Sequence, residues 1–152
     1  METTKSKKAE PTTAVKLPRG IRNNNPLNIE KGMPWRGLRD FATDERFCEF
    51  QTMALGFRAA FRIMQTYYTR YRCRTLNKIV KRWAPPSENN TQAYIDYVCK
   101  KTGIQPFTML PNPRLFLNPW DKILLAMASY ENGTDMRKYE TDCKKGIEIS
   151  RI

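Results

Sequence analysis

At 152 residues, with 40% hydrophobic and 11% aromatic content, the chain is long enough to bury one core and too apolar for a disordered polypeptide. It has no histidine, and its four cysteines are scattered without a CxxC pair. That excludes Ser-His-Asp and Cys-His catalysis and the usual zinc ligand sets, so carboxylates must carry any chemistry, and no metal or cofactor is expected. A formal net charge of +12 points to polyanionic partners: nucleic acid, an anionic membrane surface or a bacterial wall polymer.

Residues 1–18, "METTKSKKAEPTTAVKLP", are basic, aperiodic and without an apolar core segment, so they are read as a flexible basic arm rather than a signal peptide. No run of apolar residues is long enough to span a bilayer. The expectation is a protein made in the bacterial cytoplasm with reduced thiols, leaving the cell by some other route. From Gly20 to Phe50 the pattern is short and punctuated by Gly32, Pro34 and Gly37, which predicts a small irregular sheet with loops. Within it "NNNPLNI" sets three asparagines, Asn23, Asn24 and Asn25, ahead of a proline. Asparagine favours turns and caps over helix or strand interiors, so a plain turn feeding a strand is one reading of the triplet.

Met53, Phe57, Ala60, Phe61, Met64, Tyr67, Tyr68 and Tyr71 recur at threes and fours, which predicts a long amphipathic helix. Arg58, Arg62 and Arg70 fall mostly off that stripe and read as a solvated face. Thr75 caps a short helix bearing Leu76, Ile79, Val80 and Trp83, which "APPSEN" stops. Asn89 or Asn90 caps the next, with Tyr94, Ile95, Val98 and Cys99 on its stripe and Gly103 at its end. A Pro-rich connector leads to Asn118-Pro119, read as a cap and first-turn proline for the helix "WDKILLAMASYENG". From about Met136 the chain is polar.

One acid is out of place. Trp120, Leu124 and Met127 form the buried line of the last predicted helix, and Glu131 continues it eleven residues after Trp120, at nearly the same azimuth. Burial without a cationic partner disfavours an ionised carboxylate, and a protonated acid is what glycosidic-bond cleavage needs. A frayed helix end that turns the side chain to solvent is the alternative. Glu88 reads equally as a helix-start residue and as a site residue.

"RGIRNNNPLNIE", "FCEFQTMALGFRAAFRIMQTYY" and "WAPPSENNTQAYIDYV" together resemble a phage- and prophage-encoded family often labelled as virion structural proteins. That family is related in pattern to the peptidoglycan lysin of an enveloped double-stranded RNA phage. The motifs cover residues 19 to 133. Behind them stands the lysozyme-like superfamily. "NNNPLNI" is similar to the Asn-Asn-Leu-Phe-Gly-Ile segment of bacterial glucosaminidases, and "ENNTQAYIDYV" to the Glu-Thr-x-x-Tyr-Val segment of lytic transglycosylases. In those relatives the catalytic glutamate ends a helix ahead of the asparagine segment. Here the matching form is Glu131-Asn132-Gly133 at the other end of the chain, so the resemblance implies a circular permutation.

The implied fold is α+β and mainly α, lysozyme-like, with the catalytic helix at the C-terminus. It spans residues 19–135, before a polar tail at 136–152. The implied activity is cleavage of the peptidoglycan glycan strand, as a muramidase or lytic transglycosylase, with Glu131 as general acid. Asn23, Asn24, Asn25, Tyr94 and Glu88 would bind substrate, although Tyr94 also belongs to its helix's core stripe. Glu30, Asp40, Asp44 and Glu49 are open candidates for a second carboxylate. The expected partners are peptidoglycan and virion proteins, and the expected site of action is the cell wall, the periplasm or the virion. The rival reading is a non-catalytic virion or nucleic-acid-binding protein that keeps the fold. Its basic arm and the arginines between Arg58 and Arg74 would then hold phosphates.

Overall fold

The computed structural model describes residues 16–151, so all of the basic arm except Lys16–Pro18 lies outside the described residues. Six α-helices follow in order: α1 (Arg19–Arg22), α2 (Met53–Arg70), α3 (Leu76–Trp83), α4 (Thr91–Thr102), α5 (Trp120–Asn132) and α6 (Glu140–Ile149). The expected sheet reduces to two isolated antiparallel bridges, Glu30 with Phe47 and Leu38 with Phe50. Backbone bonds at these bridges, Lys31 N–H to Arg46 O, Cys48 N–H to Ile29 O, Arg39 N–H to Glu49 O and Gln51 N–H to Gly37 O, hold the segment between α1 and α2 together with side chains. Glu49 accepts from the backbone N–H groups of Thr43 and Asp44 and pairs with Arg39 at 2.9 Å. Asp44 pairs with Arg19 and accepts from the N–H groups of Arg46 and Phe47. These side-chain bonds close the loops between the two short bridges.

Helix ends follow local chemistry. Thr75 accepts from Lys78 N–H, Asn90 accepts from Ala93 N–H, and Gly103 and Gly133 take the left-handed conformation that ends α4 and α5. Thr52 caps α2 in the same way through Leu55 N–H. The expected Asn118 cap is a correction: α5 starts after Pro119 with no side-chain cap, and the Asn118–Pro119 peptide is cis.

Helix α5 is the central element. Nearly every residue from Trp120 to Ser129 is buried, and it touches α1, α2, α4 and α6. The most extensive helix pair is α2 with α6, which corrects the reading of residues 136–152 as a polar tail. Gly146 lies against α2, where an added Cβ would stand only 2.5 Å from Ala54 O, while the buried Cys143 thiol donates to Asp121 O of α5. So α6 needs little apolar side chain, because its backbone lies against that of α2. Along α2, Phe57, Ala60, Phe61 and Met64 are buried as the stripe predicts, whereas Tyr71 is exposed just past the helix end. Arg62 and Arg70 are solvated, and Arg58 is half-buried.

Candidate functional site

Glu131, in the last turn of α5, does not turn out to solvent. Its Oε2 accepts from Trp83 Nε1 and from the Tyr94 hydroxyl, each at 3.0 Å, and its Oε1 accepts from Asn28 Nδ2 at 3.2 Å. The three donors come from the end of α3, the first turns of α4 and the loop after α1. All three are neutral, and no cation pairs with Glu131 among the described residues. The Tyr94 ring is stacked on Tyr130 with centroids 4.0 Å apart. Burial, and then the neighbouring Glu131 carboxylate, push the Tyr94 hydroxyl well above its ordinary value, so it remains a donor.

This carboxylate lies at one side of an open groove of about 330 Å³. Leu27, Asn28 and Ile29 line it beside Glu131, with Trp83 and Tyr67. The far walls carry Glu30, Arg46 and Phe47 on one loop and Pro85, Glu88 and Asn89 on the other. The second loop is closed by Thr91 Oγ1 donating to Ala84 O and by Asn89 Nδ2 donating to Pro85 O. Phe47 is clamped between the guanidiniums of Arg19 and Arg46, at 4.7 and 4.8 Å from its ring centroid. In a chain of net charge +12, the groove gathers three carboxylates and one arginine.

Of the candidate site residues, Glu131, Glu88 and Glu30 line this groove, and Tyr94, buried behind it, reaches it only through its bond to Glu131. Glu88 is exposed and lies ahead of the Asn90 cap, outside the first turn of α4. Asn23, Asn24 and Asn25 are not among the lining residues. Asn25 is buried, bonding Ile29 N–H, Ile29 O and Cys48 O through its side chain. Asn23 donates to Asp44, and Asn24 donates to Phe50 O and Gln51 O. Asn24 holds φ +51, and its carbonyl lies against α2 where a Cβ on Gly56 would fall within 2.1 Å. The triplet is therefore a clasp: it ties the chain after α1 to the strand-like piece before α2, and at Asn24 the side chain donates to backbone carbonyls while the residue tolerates a left-handed turn.

The groove asparagine is the fourth one, Asn28, at φ +54. Leu27 and Ile29 on either side of it are buried, and the left-handed backbone at Asn28 turns its side chain to Glu131. Trp83 was legible only as core. Of the candidates for a second acid, Asp44 is held below its usual range first by the Arg19 guanidinium, and Glu49 first by the backbone N–H of Asp44, so both are consumed by loop contacts. Asp40 is exposed and lines no wall of the groove, whereas Glu30 does, paired with Arg46 at 2.9 Å.

No family model matches the chain. Protein P5 of Pseudoalteromonas phage PM2 is 39% identical to it over 142 residues, spanning 91% of this chain and 85% of the relative. The chain belongs to the family of Protein P5. A span of 91% of the chain takes in the asparagine clasp and α1 through α5 wherever it begins. A phage origin for the P5-like chain follows, and the chemistry has to be argued from the groove. No helix of the described residues is long and apolar enough to cross a membrane.

Proposed function

We propose that this P5-like protein is a phage lysin that cleaves the glycan strand of bacterial peptidoglycan, on a permuted lysozyme-like domain with Glu131 as general acid. The carrying observation is a half-buried carboxylate at a groove, held by Asn28, Trp83 and Tyr94 and by no cation. Three neutral donors orient the carboxyl at the groove without an ion pair, which is the positioning that a general acid needs. Glu131 protonates the leaving glycosidic oxygen as the bond breaks. The ring carbon is then captured by water, as in a muramidase, or by the sugar's own hydroxyl, as in a lytic transglycosylase. Glu30 and Glu88, which also line the groove, are the acids that would assist, and Trp83 and Tyr67 would offer aromatic surface to the sugar rings.

The rival, a nucleic-acid-binding virion protein, draws on the net charge of +12. The groove disfavours it as the phosphate site, because three carboxylates line it against one arginine. Nor do the arginines between Arg58 and Arg74 form an open row: Arg58 is half-buried, and Arg74 stacks on the Tyr68 ring at 5.0 Å.

The deciding experiment pairs the parent with Glu131→Gln, which preserves the size of the side chain and removes the proton to be donated. Loss of a positioned acid costs on the order of 10²- to 10⁴-fold in rate. The variant should stay folded by circular dichroism and fail to clear a peptidoglycan suspension that the parent clears. Equal clearing by both proteins refutes Glu131. An inactive parent on several wall types, with salt-sensitive DNA binding, moves the assignment to the rival. Product ends, reducing sugar or anhydro ring, separate hydrolysis from transglycosylation.

A further inference from the structure

The connector between α4 and α5 is tightly anchored through its backbone yet presents large apolar side chains to water. Leu110 N–H donates to Arg74 O, the Tyr68 hydroxyl to Leu110 O, Trp120 Nε1 to Pro111 O, and Arg151 to Pro113 O. Asn112 builds a turn at its centre: its carbonyl accepts from the N–H groups of both Leu115 and Phe116, and its side chain accepts from Arg114 N–H. On that fixed turn Leu115, Phe116 and Leu117 are 69%, 54% and 40% exposed. A run of three such residues on an ordered turn is not the scattered surface apolarity that any protein shows.

The charge around the turn has one dominant sign. Arg114 is part of it, and Leu117 borders a shallow apolar depression whose rim carries Lys144, Lys145 and Arg151 from α6 and the residues after it. On the other side Arg114 and Arg151 share a polar hollow with Arg62. Glu148 is the acid on the first rim, and Glu140 is paired to Lys144 at 3.2 Å.

We propose that the Arg114–Leu117 turn and its basic rim form an interfacial anchor for an anionic lipid bilayer, with Leu115, Phe116 and Leu117 entering the headgroup–acyl boundary. A bilayer fits both halves of the surface: apolar tips insert shallowly while lysines and arginines meet anionic headgroups. A nucleic acid would use the rim and leave the two leucines in water, since aliphatic tips give bases no stacking face. The anchor is separate from the Glu131 groove and does not depend on the reading of that groove.

The test is cosedimentation of the full chain with vesicles of phosphatidylcholine alone and of phosphatidylcholine mixed with phosphatidylglycerol. The parent should partition onto the mixed vesicles well above its binding to phosphatidylcholine. The exposed triple variant Leu115→Ser/Phe116→Ser/Leu117→Ser, folded by circular dichroism, should lose at least about tenfold in partitioning, since each buried apolar side chain contributes. Arg114→Glu/Lys145→Glu should lose the preference for the anionic vesicles. In Phe116→Trp, lipid brominated on its acyl chains should quench the added indole. Three outcomes overturn the anchor: vesicle binding by the triple serine variant equal to the parent's, no vesicle binding by the parent, or concentration-dependent self-association of the parent that the triple variant abolishes.

Discussion

Asn28 Nδ2 lies 3.2 Å from Glu131 Oε1, although 103 positions separate the two residues in the chain. The contact joins the loop after α1 to the last turn of α5. Asn132 Nδ2 repeats the join one residue later by donating to Pro26 O and Ala128 O, so the groove floor is a seam between the two ends of the domain.

Asn28 has two separable duties, and two substitutions distinguish them. Its φ of +54 is costly for alanine and free for glycine, by roughly 1 kcal/mol. Asn28→Gly should therefore melt higher than Asn28→Ala. Both remove the donor to Glu131, so both should lose wall-clearing rate to a similar degree. Activity that followed melting temperature instead would assign Asn28 a role in stability alone.

The α2–α6 contact should tolerate no added side chain. In Gly146→Ala the new methyl would meet Ala54 O at 2.5 Å and Arg58 N at 2.8 Å, both backbone atoms that cannot step aside. Overpacking of this kind costs about 1–3 kcal/mol, and thermal unfolding should show it as a lowered midpoint. Gly133→Ala, with nothing within 4 Å of its Cβ, probes only the left-handed backbone at φ +64 and should cost less.

Acid should release the loops between α1 and α2. The Arg19 guanidinium and backbone N–H groups hold the Asp44 carboxyl below its usual range, and the N–H groups of Asp44 and Thr43 with Arg39 do the same for Glu49. A carboxyl depressed in the folded state adds stability that is complete above its unfolded value, about 4, and is lost as pH falls further. Denaturant midpoints should thus hold above about pH 5 and drop below pH 4. Asp44→Asn should be less stable than the parent at neutral pH and converge with it in acid; a constant gap would show that the ion pair does not carry the effect.

The thiols should be nearly inert in the native state. Cys48, Cys73 and Cys143 are buried and Cys99 is partly exposed, and burial pushes all of them up from their ordinary values. A thiol reagent at neutral pH should label Cys99 slowly at most, and label all four cysteines once the chain is unfolded. Rapid native labelling of Cys143, whose thiol donates to Asp121 O, would mean that α6 detaches readily from α5.

Local order was open to sequence reasoning because its causes are local. Thr75, Asn90, Gly103 and Gly133 end their helices through bonds or backbone angles confined to one turn, and the α2 stripe needs only a period. Glu131 stood out for the same reason, as an acid on an apolar line. What belongs to the tertiary structure is which polar group meets that acid. Asn23, Asn24, Asn25 and Asn28 are alike in composition and adjacent in sequence, and only the packing of α1 and α2 turns three into a clasp and points the fourth into the groove. Helix α6 was hidden for a related reason: it meets α2 at Gly146, and a face that buries backbone rather than side chains leaves almost no hydrophobic signal to read.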